Sequence, residues 1–241
     1  MLASILREAA RQYQRRPLAA VATVAFGAAS LSLQRAAQPV QVVGGLALVV
    51  AGVLAELFLI AYLAGALQPG PHQPGQALAA ARRSAGPGFR GALLQFAYLA
   101  LASMVALLLL GARDLATLSR SEQTAFEVGT VPLLAVAFAF LAVLAQRIVL
   151  DGERRVRLAA AVSHRVAAAH FPVCLGIGFL QAVGRVGDAP GITLLGQVAI
   201  VVALGLAEPF RIAMSNSLFL ATRSLHVTQP DRRRDNPDRL G

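Results

Sequence analysis

Charged and amide side chains inside apolar segments are the residues of this chain that could do chemistry. The first is Glu56, which lies in the stretch VLAELFLIAYL (53–63) and is the one charged residue between Val40 and Leu67. A carboxylate in such a run is costly in a bilayer and usually faces a bundle interior or a water-filled cavity. Two interpretations stay open. Glu56 is either a proton, cation or head-group site, or a structural carboxylate that joins helices, protonated or paired with an arginine.

A short pattern around Glu56 recurs twice further along the chain. Residues 54–56 read LAE, residues 144–146 read LAQ and residues 206–208 read LAE. Counted from the outer start of its apolar segment, each acidic or amide residue lies about 16 to 17 positions in, which is roughly 25 Å along a helix. The matched depth predicts an intramembrane polar layer near the cytoplasmic face, with the two arginines as candidate partners of Glu56. Its predicted members are Glu56, Gln146, Arg147, Glu208 and Arg211.

Motifs of nucleophilic, metal and nucleotide chemistry are missing from the sequence. It contains no GxSxG, HExxH, CxxC or GxxxxGK[ST] pattern. His164 and His170 are six residues apart and do not share a helical face, and Cys174 has the apolar neighbours of a small buried hydrophobe. We therefore expect a protein that is not an enzyme and that has no metal, cofactor or catalytic residues.

Six long apolar segments must position the polar residues. Of the 241 residues, 56% are hydrophobic and 14% charged, whereas soluble domains carry about 25% charged residues. Each segment is near or above the ~17 residues that cross a ~30 Å hydrocarbon core, and backbone hydrogen bonding in lipid favours helices. The predicted fold class is an all-α, polytopic membrane helix bundle with six transmembrane helices. The predicted spans are 17–34, 40–67, 91–112, 129–150, 168–187 and 190–208.

Arginine placement predicts the orientation of these spans. All 22 basic residues are arginine, and a cytoplasmic N-terminus leaves four of them outside (Arg35, Arg113, Arg120 and Arg185) and the other 18 inside. This distribution agrees with the positive-inside rule. We expect both termini in the cytoplasm. The composition, rich in Ala, Gly, Leu, Arg and Pro, is typical of GC-rich bacterial genes, which predicts the bacterial inner membrane as the location.

Three amphipathic segments precede the odd-numbered spans. Residues 1–16, 75–84 and 153–168 place Ala and Leu on one side and Arg on the other, as in helices that lie in the interfacial plane. We interpret the first as an uncleaved helix and not as a signal peptide. Each segment and the two spans after it form a hairpin unit, so the bundle has three units.

The charged ends of these segments predict where lipid is bound. The expected contacts with anionic head groups are Arg82, Arg83, Arg154, Arg155 and Arg157. We expect one transmembrane domain over residues 1–228 and a disordered basic cytoplasmic tail over 229–241.

The order of elements resembles a known family. The last apolar segment continues through Pro-Phe into a polar helix, AEPFRIAMSNSLFLATR (207–223), with Phe219 and Arg223 at the positions of an aromatic residue and an arginine. This layout is similar to the bacterial six-span proteins grouped with the membrane domain of glycerophosphoryl diester phosphodiesterase and the YciC-like proteins. The resemblance implies the six-span fold and no catalytic residues, because in fused forms a soluble phosphodiesterase does the chemistry.

Two functions fit these observations. The first is a non-enzymatic integral inner-membrane protein that associates with anionic lipid, with a membrane protein partner or with a second copy of itself. The net charge of +10 does not indicate nucleic acid, because the arginines lie at the ends of apolar segments. The alternative is a small transporter or permease subunit that uses Glu56 as an intramembrane proton or cation site.

Overall fold

The fold is all-helical in the part of the chain that the computed structural model describes, residues 1–33, 38–67, 74–109, 119–186 and 194–227. A turn of 3-10 helix, Gly65–Leu67, follows the third α-helix directly. The tail 229–241 and most of the outer links lie outside the described residues. The helices are α1 (Leu2–Arg15), α2 (Leu18–Leu33), α3 (Gln38–Ala64), α4 (Pro74–Leu109), α5 (Arg120–Ala139), α6 (Leu144–Leu150), α7 (Val156–Ala169), α8 (Phe171–Val186) and α9 (Leu194–Val227).

Three described stretches are long and apolar enough to cross a membrane, namely Val43–Leu67, Pro74–Leu109 and Gly129–Leu150. A fourth results if α7 and α8, which meet at an angle of 116°, count as one bent span. The bend falls before Pro172, which lacks an N–H and restricts the residue before it. The all-helical class with membrane-length apolar helices is thus confirmed. Six spans, three hairpin units and cytoplasmic termini remain predictions.

The predicted amphipathic segment 75–84 and most of the predicted span 91–112 lie on one helix. Helix α4 is continuous from Pro74 to Leu109, with Pro87 inside it. Ser84, Pro87, Gly88 and Gly91 are buried along one face, where Gly88 meets the side chain of Leu57 and Gly91 that of Ile148. Small residues allow close helix contact, and this packing overrides the low helix propensity of Gly and Pro.

The candidate span Gly129–Leu150 has the bounds predicted from the sequence, and part of the outer link expected at 113–128 is helical. Helix α5 begins at Arg120, so residues 120–128 extend the helix before the apolar run that starts at Gly129. Residues 110–118 lie outside the described part of the chain.

The fourth predicted span, 129–150, is interrupted by a turn between α5 and α6. The N–H groups of Leu141 and Leu144 donate to carbonyls three residues earlier, each over 3.0 Å, which is 3-10 geometry. The N–H of Val143 donates to Oγ of Ser163 on α7 over 3.2 Å. A hydroxyl from a neighbouring helix thus satisfies the backbone where the helix breaks, as a lipid environment requires.

Helix α9 lies at the centre of the packing. Helices α1, α2, α3 and α8 all contact it, whereas α5 packs most extensively on α8 and α3 on α4. Every residue from Arg211 to Phe219 is buried. The closest approaches occur at glycines: a Cβ at Gly178 would overlap backbone atoms of α5, and one at Gly205 would overlap the backbone of α2. The strongest pairings therefore connect helices from different predicted units.

Candidate functional site

A cluster of three charged side chains joins α3 to α9. Nε of Arg211 donates to Glu208 over 2.8 Å, and one terminal nitrogen donates to the other oxygen of the same carboxylate over 2.5 Å. That nitrogen also donates to Oε1 of Glu56 over 2.9 Å. The guanidinium is buried, with 5% of the side chain exposed, and arginine stays charged at any working pH. The cluster thus holds a cation between two carboxylates.

Local helix geometry explains why these residues meet. Glu208 and Arg211 are three residues apart on α9, which places both side chains on one face of the helix. Pro209 lies between them without ending α9. Glu56 comes from the facing side of α3, which packs on α9. The structure therefore pairs Glu56 with one of its two candidate partners, Arg211, and adds Glu208 to the same cluster.

The other two members of the predicted polar layer, Gln146 and Arg147, are placed elsewhere. Gln146 is buried in α6, 2% exposed, and does not contribute to the described lining of the cavity beside Glu56. Arg147 is bonded to Asp151, the residue that follows the end of α6. Leu144, Ala145 and Ile148, the neighbours of Gln146 on α6, line a small pocket together with Glu56. The single layer of five residues stays a prediction.

Asp151 organises a second ionic contact that the sequence did not indicate. Its Oδ2 accepts from Arg147, and its Oδ1 lies 2.9 Å from a terminal nitrogen of Arg223 on α9. The Asp151 side chain is only 9% exposed. The contact joins the end of α6 to the end of α9. It gives Arg223, singled out by the family resemblance, a structural partner.

A buried amide network ties the N-terminal helix to the core. Nε2 of Gln12 donates to Oγ of Ser217 over 2.9 Å, and Nδ2 of Asn216 donates to Oε1 of Gln12 over 3.3 Å and to the carbonyl of Ile60 over 3.1 Å. All three polar side chains are buried. Sequence reasoning missed this network. The sequence feature that could have indicated it is the polar run Ser215, Asn216 and Ser217 inside the long helix α9.

The Glu56 cluster forms part of the wall of a cavity of about 760 Å³. Helices α2, α3, α4, α8 and α9 line it, mostly with apolar residues. Glu56 is 27% exposed and Glu208 38%, against 5% for Arg211. Carboxylate oxygens therefore face the cavity, and the guanidinium lies behind them. Ligand pockets in proteins have volumes of about 300–1,000 Å³ and few polar groups, so this cavity has the size and polarity of a binding site.

The five arginines expected to contact lipid are all exposed. Oγ of Ser84 lies 3.5 Å from the carbonyl of Ile148, which places the beginning of α4 beside the end of α6. The segment that leads from α6 into α7 therefore starts next to α4. Ion pairs among the described residues involve none of the five. We call this set the basic surface: Arg82, Arg83, Arg154, Arg155 and Arg157.

His164 takes part in aromatic packing. Nε2 of His164 lies 3.2 Å from the hydroxyl of Tyr98, and its ring meets Phe140 edge-on. Within the described ranges, His, Cys, Asp and Glu side chains form no group of three that could hold a metal ion.

Comparison with models of protein families, with curated proteins and with solved structures finds no match to this chain. The family resemblance based on residues 207–223 thus stays a prediction. Function has to be argued from the cavity, the ionic contacts and the basic surface.

Proposed function

We propose that this chain is a non-enzymatic, multi-pass protein of the bacterial inner membrane that binds anionic lipid head groups. Six spans, three hairpin units, cytoplasmic termini and the family resemblance are parts of the proposal. The observation that carries it is the basic surface, whose exposed arginines lie on α4, in the segment just before α7 and at the start of α7. Each Arg near an anionic membrane surface contributes about 1 kcal/mol of attraction.

The neighbours of these arginines support a position at the lipid interface. Leu78, one turn before Arg82, is 45% exposed, and Leu158, next to Arg157, is 48% exposed. An exposed leucine beside an exposed arginine suits the boundary between acyl chains and head groups. Guanidinium groups bind phosphate through two parallel hydrogen bonds, which favours phospholipid over a diffuse counter-ion.

The test is lipid retention, measured by native mass spectrometry on protein purified in mild detergent. The protein is offered phosphatidylglycerol and phosphatidylcholine at equal concentration. The triple change Arg154→Gln, Arg155→Gln and Arg157→Gln removes about 3 kcal/mol of attraction, which weakens phosphatidylglycerol binding roughly 100-fold. The control replaces the same three residues with lysine, which keeps the charge and most of the binding.

Salt dependence provides the second readout of the lipid test. Binding through the basic surface weakens as ionic strength rises, because the Debye length shortens from about 10 Å at 0.1 M to about 3 Å at 1 M. Equal phosphatidylglycerol retention by wild type and the glutamine variant at low salt would contradict the proposal. A retained second copy or a foreign protein would point to the alternative of a protein partner.

A second candidate function, a small transporter or permease subunit, is favoured by one specific observation. Glu56 lies in an apolar helix and lines a cavity of about 760 Å³ between five helices. Uptake into proteoliposomes that is lost in Glu56→Gln, with the fold retained, would support transport. Loss of the fold in that variant would support a purely structural carboxylate that holds α3 against α9.

A further inference from the structure

The cavity beside Glu56 is half-open and has a volume of about 760 Å³. Five helices form its walls, and two of them are joined by the bond from Thr23 on α2 to the carbonyl of Gly205 on α9. The volume falls within the range of ligand pockets, about 300–1,000 Å³. The cavity therefore has room for a ligand much larger than a single ion.

The cavity is lined by Glu56, Glu208 and Arg211 and by a mostly apolar remainder, in which Gln95 and Gln181 are among the polar members. Gly45, Gly52 and Glu56 line it from the same helix, and the distance from Gly45 to Glu56 is about 16 Å along α3. Phe26 on α2 and Val201 on α9 line the apolar part. The carboxylates of Glu56 and Glu208 are far more exposed than the guanidinium behind them.

We propose that this cavity binds a monovalent organic cation with a bulky apolar body, its charged head against Glu56 and its body along α3 towards Gly45. Charge complementarity selects the occupant. An anion would meet carboxylates before it reached Arg211, and a bare proton or metal ion would leave the apolar volume empty. This proposal names a substrate class for the transporter suggested as the second candidate function. Movement of the ligand across the membrane rests on that candidate function, whereas binding of the ligand does not.

The probe is tetraphenylphosphonium, and tetraphenylborate is its control of nearly identical shape and opposite charge. Equilibrium dialysis against the full chain in mild detergent measures binding of each. We expect one saturable site for tetraphenylphosphonium and none for tetraphenylborate. Glu56→Gln should weaken the cation by about tenfold or more, since a charge contact of about 1.4 kcal/mol corresponds to that factor. Glu56→Asp keeps the charge and should retain most of the affinity.

A second variant keeps the proposal testable if Glu56→Gln fails to fold. A Cβ at Gly45 would meet no atom within 4 Å, so Gly45→Phe fills the cavity and leaves the charge cluster intact. It should abolish tetraphenylphosphonium binding. The matched control is Gly75→Phe, at an exposed glycine on α4 whose Cβ also meets no atom within 4 Å and which is not among the cavity residues. This variant should bind as wild type does.

Three outcomes would overturn the inference: no saturable cation binding by folded wild type, equal affinity for both probes, or unchanged binding in Gly45→Phe. Its failure is distinguishable from failure of the transport candidate. Tetraphenylphosphonium that binds but does not cross proteoliposomes supports the binding site and contradicts transport. Proton flux that depends on Glu56, without binding of the probe, supports transport and contradicts the substrate class.

Discussion

Replacing Arg211 with Met is expected to leave Glu56 and Glu208 without the cation that lies between them. The buried guanidinium makes three hydrogen bonds to these carboxylates, over 2.5 to 2.9 Å. Removing one partner of a buried ion pair costs about 3–5 kcal/mol. Because the carboxylates are 27% and 38% exposed, solvent reduces the loss towards the low end of that range. At roughly 2–4 °C per kcal/mol, the expected fall in Tm is about 6–12 °C.

The assay uses Cys174, which is buried and is the chain's single cysteine. A thiol-reactive fluorophore labels it only as the bundle unfolds, so labelling against temperature gives Tm in detergent. Adding Glu56→Gln to Arg211→Met should recover part of the loss, because it removes the repulsion between two unbalanced carboxylates. A Tm within about 2 °C of wild type for Arg211→Met would refute the reasoning, since that corresponds to about 1 kcal/mol or less. So would a further fall in Tm on adding Glu56→Gln.

Two other changes test how the helices are held together. Gly178→Ala should lower the free energy of unfolding by about 1–3 kcal/mol, because the added methyl group overpacks against the backbone of α5. The control is Gly176→Ala, at an exposed position without a neighbour within 4 Å, which should be neutral or stabilising. Similar Tm values for the two variants would contradict the close packing of α8 on α5. Ser163→Ala leaves the N–H of Val143 unsatisfied and should cost about 1–3 kcal/mol, with faster amide exchange there. The control is Ser32→Ala, at an exposed serine that is bonded to a carbonyl of its own helix. An equal loss of stability in the two serine variants would rule out the proposed role of Ser163.

The sequence predicted the second and third helices closely. The expected span 17–34 corresponds to α2, Leu18–Leu33, and 40–67 corresponds to α3 and its 3-10 turn. Both helices form from uninterrupted apolar runs. In lipid, the backbone N–H and C=O groups of such a run stay unsatisfied unless they hydrogen-bond within the helix. The sequence did not indicate the continuity of α4 through Pro87 or the turn at 140–143, because the packing of small residues on α4 and the hydroxyl of Ser163 act across the fold.

The sequence by itself determined that the chain is helical, that several apolar segments reach membrane length, and that Glu56 and Arg211 are charged groups needing partners. Helicity and segment length follow from the long apolar runs. The need for partners follows from the cost of burying an unpaired charge, which is the same whatever the order in which the helices pack. Only the tertiary structure decided which charges meet. The packing of α3 on α9 brought Glu56 to Arg211, and the meeting of the ends of α6 and α9 brought Asp151 to Arg223. The cavity is likewise a property of five helices together, and no single segment encodes its volume.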